Sequence, residues 1–202
     1  NQQQQASPEA IAAHDLEMLE KNQPVKVSKN IELIKIGEIV NPYEKHYDGK
    51  LIPFPVGYTI KRDYKRKEWS KKRFFTADIG RGEKGPVFNV TIVDEKDPVT
   101  FTGSVPSAPW KQAFEYIESQ NQPSKPEDNN NNNNNESNES NETNENNNDD
   151  KKEHQVPGTT LFGLALNRVV EIVKILPNAM EYPSLKKMVQ NDKFKPAEFK
   201  IK

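Results

Sequence analysis

Cysteine is absent from the chain, which excludes disulfides and thiolate metal sites and favours a reducing compartment. No apolar run approaches the roughly 20 residues of a membrane span, and no secretory leader is visible. A soluble intracellular chain is the expectation. Histidine is scarce: His14, His46 and His154 fall in a predicted helix, a turn region and an Asn-rich stretch, without metal-ligand spacing. No glycine-rich phosphate loop follows a strand, since Gly80-Arg81-Gly82 sits in a turn with no helix behind it. Acidic pairs such as Asp94-Glu95 read as hairpin-turn residues. These absences predict no catalytic residue, no metal site and no cofactor.

Apolar residues are also few, at 33% against 29% charged, with a mean hydropathy of −0.96. That is too polar for a chain folded from end to end. Residues 121–155 explain the shortfall. They include an unbroken Asn129–Asn135 tract and no apolar side chain, so they bury nothing to offset the entropy of ordering. A disordered Asn/Glu-rich insert is expected there. Lengthening a short connection to this size costs only about 1.7 kcal/mol of closure entropy, which a domain tolerates. Asn1 to Gln5 reads as a second polar tail, and the missing initiator Met suggests a piece of a longer protein. The expected organisation is a tail and short helix (1–24), a first segment (25–120), the insert (121–155) and a closing segment (156–202). The insert carries nine acids against three lysines, so the overall charge of −1 hides a remainder of +5.

Ser7-Pro8-Glu9 is a helix start, and Ala12, Leu16 and Leu19 give that helix a narrow apolar stripe to about Glu20. Ile31 to Val40 reads as a strand. Beyond it the pattern has period two. Tyr58, Ile60 and Tyr64 alternate with Thr59, Lys61 and Asp63, and Phe75, Ala77 and Ile79 with Thr76 and Asp78. Phe88, Val90 and Ile92 alternate with Asn89 and Thr91, and Val99 and Phe101 with Thr100 and Thr102. Turn chemistry separates these runs at Gly80 to Pro86 and at Asp94 to Pro98. This predicts an antiparallel meander with one apolar face. Helical spacing follows at Trp110, Ala113, Phe114 and Ile117, then at Val169, Ile172, Val173 and Leu176 before Pro177, and in a shorter run at Leu185, Met188 and Val189. An α+β domain follows, its sheet covered by helices from both sides of the insert.

From Pro55-Val56-Gly57-Tyr58 onward the sequence resembles the paired FY-rich modules, FYRN and FYRC, of chromatin proteins. The first half runs through Arg62, Tyr64, Arg73, Phe75, Ile79 and Pro86-Val87-Phe88-Asn89-Val90. The second comes in two pieces, Phe101-Thr102-Gly103-Ser104-Val105-Pro106-Ser107 leading to Trp110, and Leu161-Phe162-Gly163-Leu164 opening a helix to Leu176-Pro177. The resemblance spans roughly Gly37–Tyr182 and has a variable connection where the Asn-rich run lies. Ala77 stands where Cys is frequent, and Asn178 where Gly is usual; Asn also adopts positive φ. The resemblance implies that both halves fold as one domain, in a nuclear protein acting on chromatin. Such modules occur in trithorax-type histone methyltransferases, where the halves hold separated parts of the protein together, and in JmjC demethylases. In organisation the chain is most similar to the transforming growth factor beta regulator 1 family. Gly57, Tyr58, Arg62, Tyr64, Phe75, Phe88, Trp110, Phe162 and Gly163 are the motif residues it assigns to structure.

Two features bear on partners. The aromatics Tyr58, Tyr64, Phe74, Phe75, Phe88, Trp110 and Phe162 could form a ligand cage, but their strand and helix spacings favour core. Phe74 is out of phase with Phe75, so one must face the other way. Lys61 to Arg73 holds eight basic residues against Asp63 and Glu68. Its densest part, Lys65, Arg66, Lys67, Trp69, Lys71, Lys72 and Arg73, is expected to project as a hairpin loop. Charge interleaved with an aromatic suits nucleic acid, an acidic chaperone-like protein or an import receptor; the plainer alternative is a solvated, aggregation-resistant edge. The sequence reading is a nuclear, chromatin-associated protein–protein interaction module without membrane contact. Nucleic-acid binding is at most weak and non-specific on this reading. The alternatives are a nucleic-acid-binding module built on the basic hairpin, or a non-catalytic part of a larger histone-modifying enzyme.

Overall fold

Helix α1 (Pro8–Glu20) begins where the sequence predicts, with Ser7 Oγ accepting from the Ala10 amide at 3.2 Å and Pro8 in the first turn. The computed structural model describes residues 6–41, 44, 46–120 and 156–190. The expected polar tail at Asn1–Gln5 and the expected disordered insert at 121–155 lie outside the described residues.

Six strands follow α1 in chain order: β1 (Val25–Ser28), β2 (Ile31–Lys35), β3 (Thr59–Tyr64), β4 (Arg73–Gly82), β5 (Gly85–Ile92) and β6 (Val99–Gly103). They form one antiparallel sheet in sequence order, a pure meander. The period-two runs become β3 to β6, with Ile60, Phe75, Ala77, Ile79, Phe88, Val90 and Ile92 buried on one face. Each large side chain buried there contributes about 1.5–3 kcal/mol. Two expected boundaries within the sheet move. The strand predicted to reach Val40 stops at Lys35, because Gly37 turns the chain with φ +77; a Cβ there would stand 2.5 Å from Val56 O and Tyr58 N. The expected Gly80–Pro86 turn shrinks to Glu83-Lys84, since β4 and β5 keep pairing out to Gly82 and Gly85.

The inner face is covered by α2 (Ser107–Gln120) and by the segment after residue 155: α3 (Gly158–Leu161), α4 (Asn167–Lys174), a 3-10 turn (Ala179–Glu181) and α5 (Pro183–Gln190). Helix α1 packs on α4. Asp15, on the buried side of α1, accepts two hydrogen bonds from Arg168, at 2.6 and 2.8 Å, while Arg168 also donates to Lys26 O at 2.9 Å. One continuous core draws on residues from both sides of 121–155, among them Phe88, Trp110, Phe162, Val169 and Val173. The fold is α+β, as the sequence predicts.

Candidate functional site

The seam between the two flanks is built by motif residues. The Tyr58 hydroxyl donates to Phe162 O at 2.8 Å, and burial pushes its phenol far above the usual range. Arg62, four residues further on and within β3, donates to Leu161 O at 2.5 Å and Thr160 O at 3.3 Å. These carbonyls end α3, and Arg62 gives the last of them, Leu161 O, a donor. Gly163 completes the same helix end. At φ +73 its amide donates to Thr160 O and that of Leu164 to Thr159 O, both at 3.0 Å, which is a Schellman cap. Gly57 likewise sits at φ +89, and Asn178, standing where the motif has Gly, takes φ +64. Burial works against the Arg62 charge, and its guanidinium rests 5.2 Å from the Tyr64 ring.

The aromatic motif residues converge on the core instead of lining a cage. Phe75 lies 5.2 Å from Trp110, and Trp110 lies 5.9 Å from Phe162, which stands 5.6 Å from Phe88. Tyr64 stacks on Phe114 at 5.5 Å. Edge-to-face and offset pairs of this kind add to simple burial. Phe75 faces inward and Phe74 outward.

The basic stretch departs from the sequence expectation. Trp69 does not project; it is 3% exposed and packs edge-on against Phe114 at 5.2 Å, with Tyr64 at 6.0 Å. Indole burial over the open end of the sheet–helix layer outweighs whatever the loop would gain by displaying it. Arg73 is buried too, donating to Asp94 at 2.8 Å and to Glu95. Burial opposes its charge, but those bonds outweigh it and hold the guanidinium protonated. Arg66 donates to Glu118 at 2.6 Å and lies 5.4 Å from the Phe114 ring. Lys72 sits 2.6 Å from Asp63, and this bond holds the Asp63 carboxyl below the usual range. The exposed remainder is Lys65, Lys67, Lys71 and Lys72. Without an exposed ring, the loop lacks the stacking platform expected of it.

The outer face of the sheet, which sequence reasoning left unassigned, is organised in rows. Thr59, Asp78, Asn89 and Thr102 are in register across β3 to β6, with Asn89 donating to Asp78 at 3.0 Å and accepting from Thr102 at 2.9 Å. The next row, Lys61, Thr76, Thr91 and Thr100, ends in a Thr91–Thr100 hydroxyl bond of 2.8 Å. Both ends of the Asn89 side-chain amide are therefore engaged within the sheet. The readable signal was the phase break at Phe74, which falls among these outward positions.

Among the described residues no three His, Asp or Glu side chains group as a metal set, and no helix is long and apolar enough to cross a membrane. No curated protein matches the chain. The family model for the F/Y rich C-terminus, FYRC, matches residues 85–188. That stretch holds β5, β6, α2, α3, α4 and most of α5, including Trp110 and the Phe162-Gly163 cap that Tyr58 and Arg62 grip. The match takes in more than half of the chain, and the chain belongs to the FYRC family.

Proposed function

We propose that this domain is a nuclear, chromatin-associated protein–protein interaction module with no catalytic activity of its own. The observation that carries the reading is the seam. Tyr58 and Arg62, in the part of the chain that resembles FYRN, hold the backbone of Thr160, Leu161 and Phe162 inside the FYRC match. A fold that locks two chain segments together through motif residues is suited to assembly. The kinship in organisation with the transforming growth factor beta regulator 1 family belongs to this reading, as does the division into segments 25–120 and 156–202 around an insert.

The burial of Trp69 and Arg73 and the ion pairs of Arg66 and Lys72 weigh against the basic loop as a nucleic-acid site. Three phosphate contacts from Lys65, Lys67 and Lys71 would give a log–log salt slope of about −2.7 and little binding at physiological ionic strength. The test pairs a DNA and RNA titration at that ionic strength with affinity capture from nuclear extract. Recovery of a chromatin protein, with nucleic-acid binding weak and indifferent to sequence, is expected. Sub-micromolar, sequence-selective nucleic-acid binding with no protein recovered would overturn the proposal.

A further inference from the structure

The two edges of the sheet are finished differently. At one edge, β1 carries the charged Lys26 and breaks register between Lys26 and Ser28. Its Lys26 O accepts from Arg168 at 2.9 Å, and Asp15 holds that guanidinium in place. Charge, irregular register and a covering helix are ways of guarding an edge strand. At the other edge, β6 has no charged side chain from Val99 to Gly103 and keeps an unbroken register with β5. Among the described residues no strand lies beyond it. Gln112 donates from α2 to Thr102 O at 3.3 Å, so the peptide groups of Thr102 face away from β5. By the alternation of an antiparallel ladder those of Thr100 do too. The strip of α2 above this edge is also uncharged. Gln112 touches Thr102, Tyr116 lies 5.7 Å from Phe101, and Ala108 and Ser119 extend the same strip at helical spacing. At its margin Lys111 and Glu115 face each other at 3.9 Å.

We infer that β6 is a self-association edge, on which two copies of the chain join β6 to β6 antiparallel about a two-fold axis at Phe101. Thr100-Phe101-Thr102 reads the same in both directions about that axis, as an isologous contact requires. Thr100 of one copy then faces Thr102 of the other, and each such pair exchanges two main-chain hydrogen bonds through the groups that β5 leaves unused. On the outer face the threonines continue rows that already hold the Thr91–Thr100 and Thr102–Asn89 bonds, 2.8 and 2.9 Å long. On the inner face Phe101 meets its copy beside Tyr116. Since α2 packs on both β5 and β6, the two α2 helices come about 10 Å apart, a distance at which helices pack. The unused peptide groups call for an extended strand; a second copy also matches the threonine row and the uncharged strip. The association needs no chromatin partner, and its failure leaves the interaction-module reading where it stands.

The test is sedimentation equilibrium of the full chain from about 1 to 200 μM, where weak complexes form. The mass should rise from 23.1 kDa towards twice that value. Thr100→Lys combined with Thr102→Lys sets like charges opposite one another at both pairs and should weaken association about tenfold or more. Thr100→Lys combined with Thr102→Glu loses the same hydroxyls within the chain but sets Lys opposite Glu across the axis. It should associate nearly as well as the wild type. Both positions are exposed, so circular dichroism should be the same for the two variants. Thr100→Pro removes an amide that β5 does not use and should act like the lysine pair. A wild type that stays at 23.1 kDa throughout would overturn the inference, whether residues 191–202 or another protein's strand covers the edge. So would equal association by the wild type and the lysine pair. Loss of association in the lysine–glutamate variant, as complete as in the lysine pair, would contradict the pairing about Phe101.

Discussion

Tyr58 and Phe162 are 104 positions apart, yet the phenol of one donates to the main-chain carbonyl of the other across 2.8 Å in a fully buried setting. Tyr58→Phe keeps the ring and its packing but strands that carbonyl. A buried acceptor left without its donor costs about 1–3 kcal/mol. Urea denaturation should show that loss with an unchanged m-value. Wild-type stability in the variant would mean that the bond does not hold the seam.

The Asp15–Arg168 pair should respond asymmetrically. Asp15 is 1% exposed, whereas the Arg168 side chain keeps 29% of its surface in water. Arg168→Ala leaves a buried carboxylate alone and should cost roughly 3 kcal/mol or more. Asp15→Asn leaves a cation that can reach solvent and should cost clearly less. Thermal melts of the two variants, compared at one pH, decide this; equal losses would contradict the buried-acid account.

How far the chain was legible follows from the range of the forces involved. Periods of 2 and 3.6 are local, so β3 to β6, α1, α2 and α4 could be read directly, with Ser7 and Pro177 as punctuation. Strand β1 offered only Val25 and Val27 as a pattern, too short to stand out. Trp69 could not be placed because the rings that bury it come from β3, β4 and α2. Local charge density pointed outward while distant aromatics pulled inward. Asp15 did carry a signal: it falls on the α1 stripe of Ala12, Leu16 and Leu19, and an acid in such a stripe needs a partner. Which residue answers it was not readable, since Arg168 lies 153 positions away.

Both tryptophans should report the corrected basic loop. Trp69 and Trp110 are buried, so native emission should be blue-shifted and shielded from iodide, and Trp69→Ala should cost about 3–5 kcal/mol. Half of the native emission yielding readily to iodide would restore Trp69 to the surface.

Alkaline pH should unfold the domain through its phenols. Tyr182 is pushed up from 10.0 to about 12, first by burial and then by Asp48 and Glu44, and Tyr58 is pushed up further by burial. The folded state thus holds these protons more tightly than the unfolded chain. Their contribution is intact below about pH 10 and is lost as pH rises through 12. Tyr182→Phe should flatten part of that decline, at the cost of the bonds to Val40 O and Asn41 O, 2.9 and 3.3 Å long. A wild-type stability curve level from pH 9 to 12 would refute the assignment.

Segments on the two sides of residues 121–155 make one core. Fragments 1–120 and 156–202, prepared separately and then mixed, test it most directly by near-ultraviolet circular dichroism. Each alone should lack fixed aromatic packing, because Trp110 and Phe88 meet Phe162 only when both are present. On mixing, the native signal should return with one-to-one stoichiometry. A first fragment that folds stably by itself and ignores the second would contradict the account.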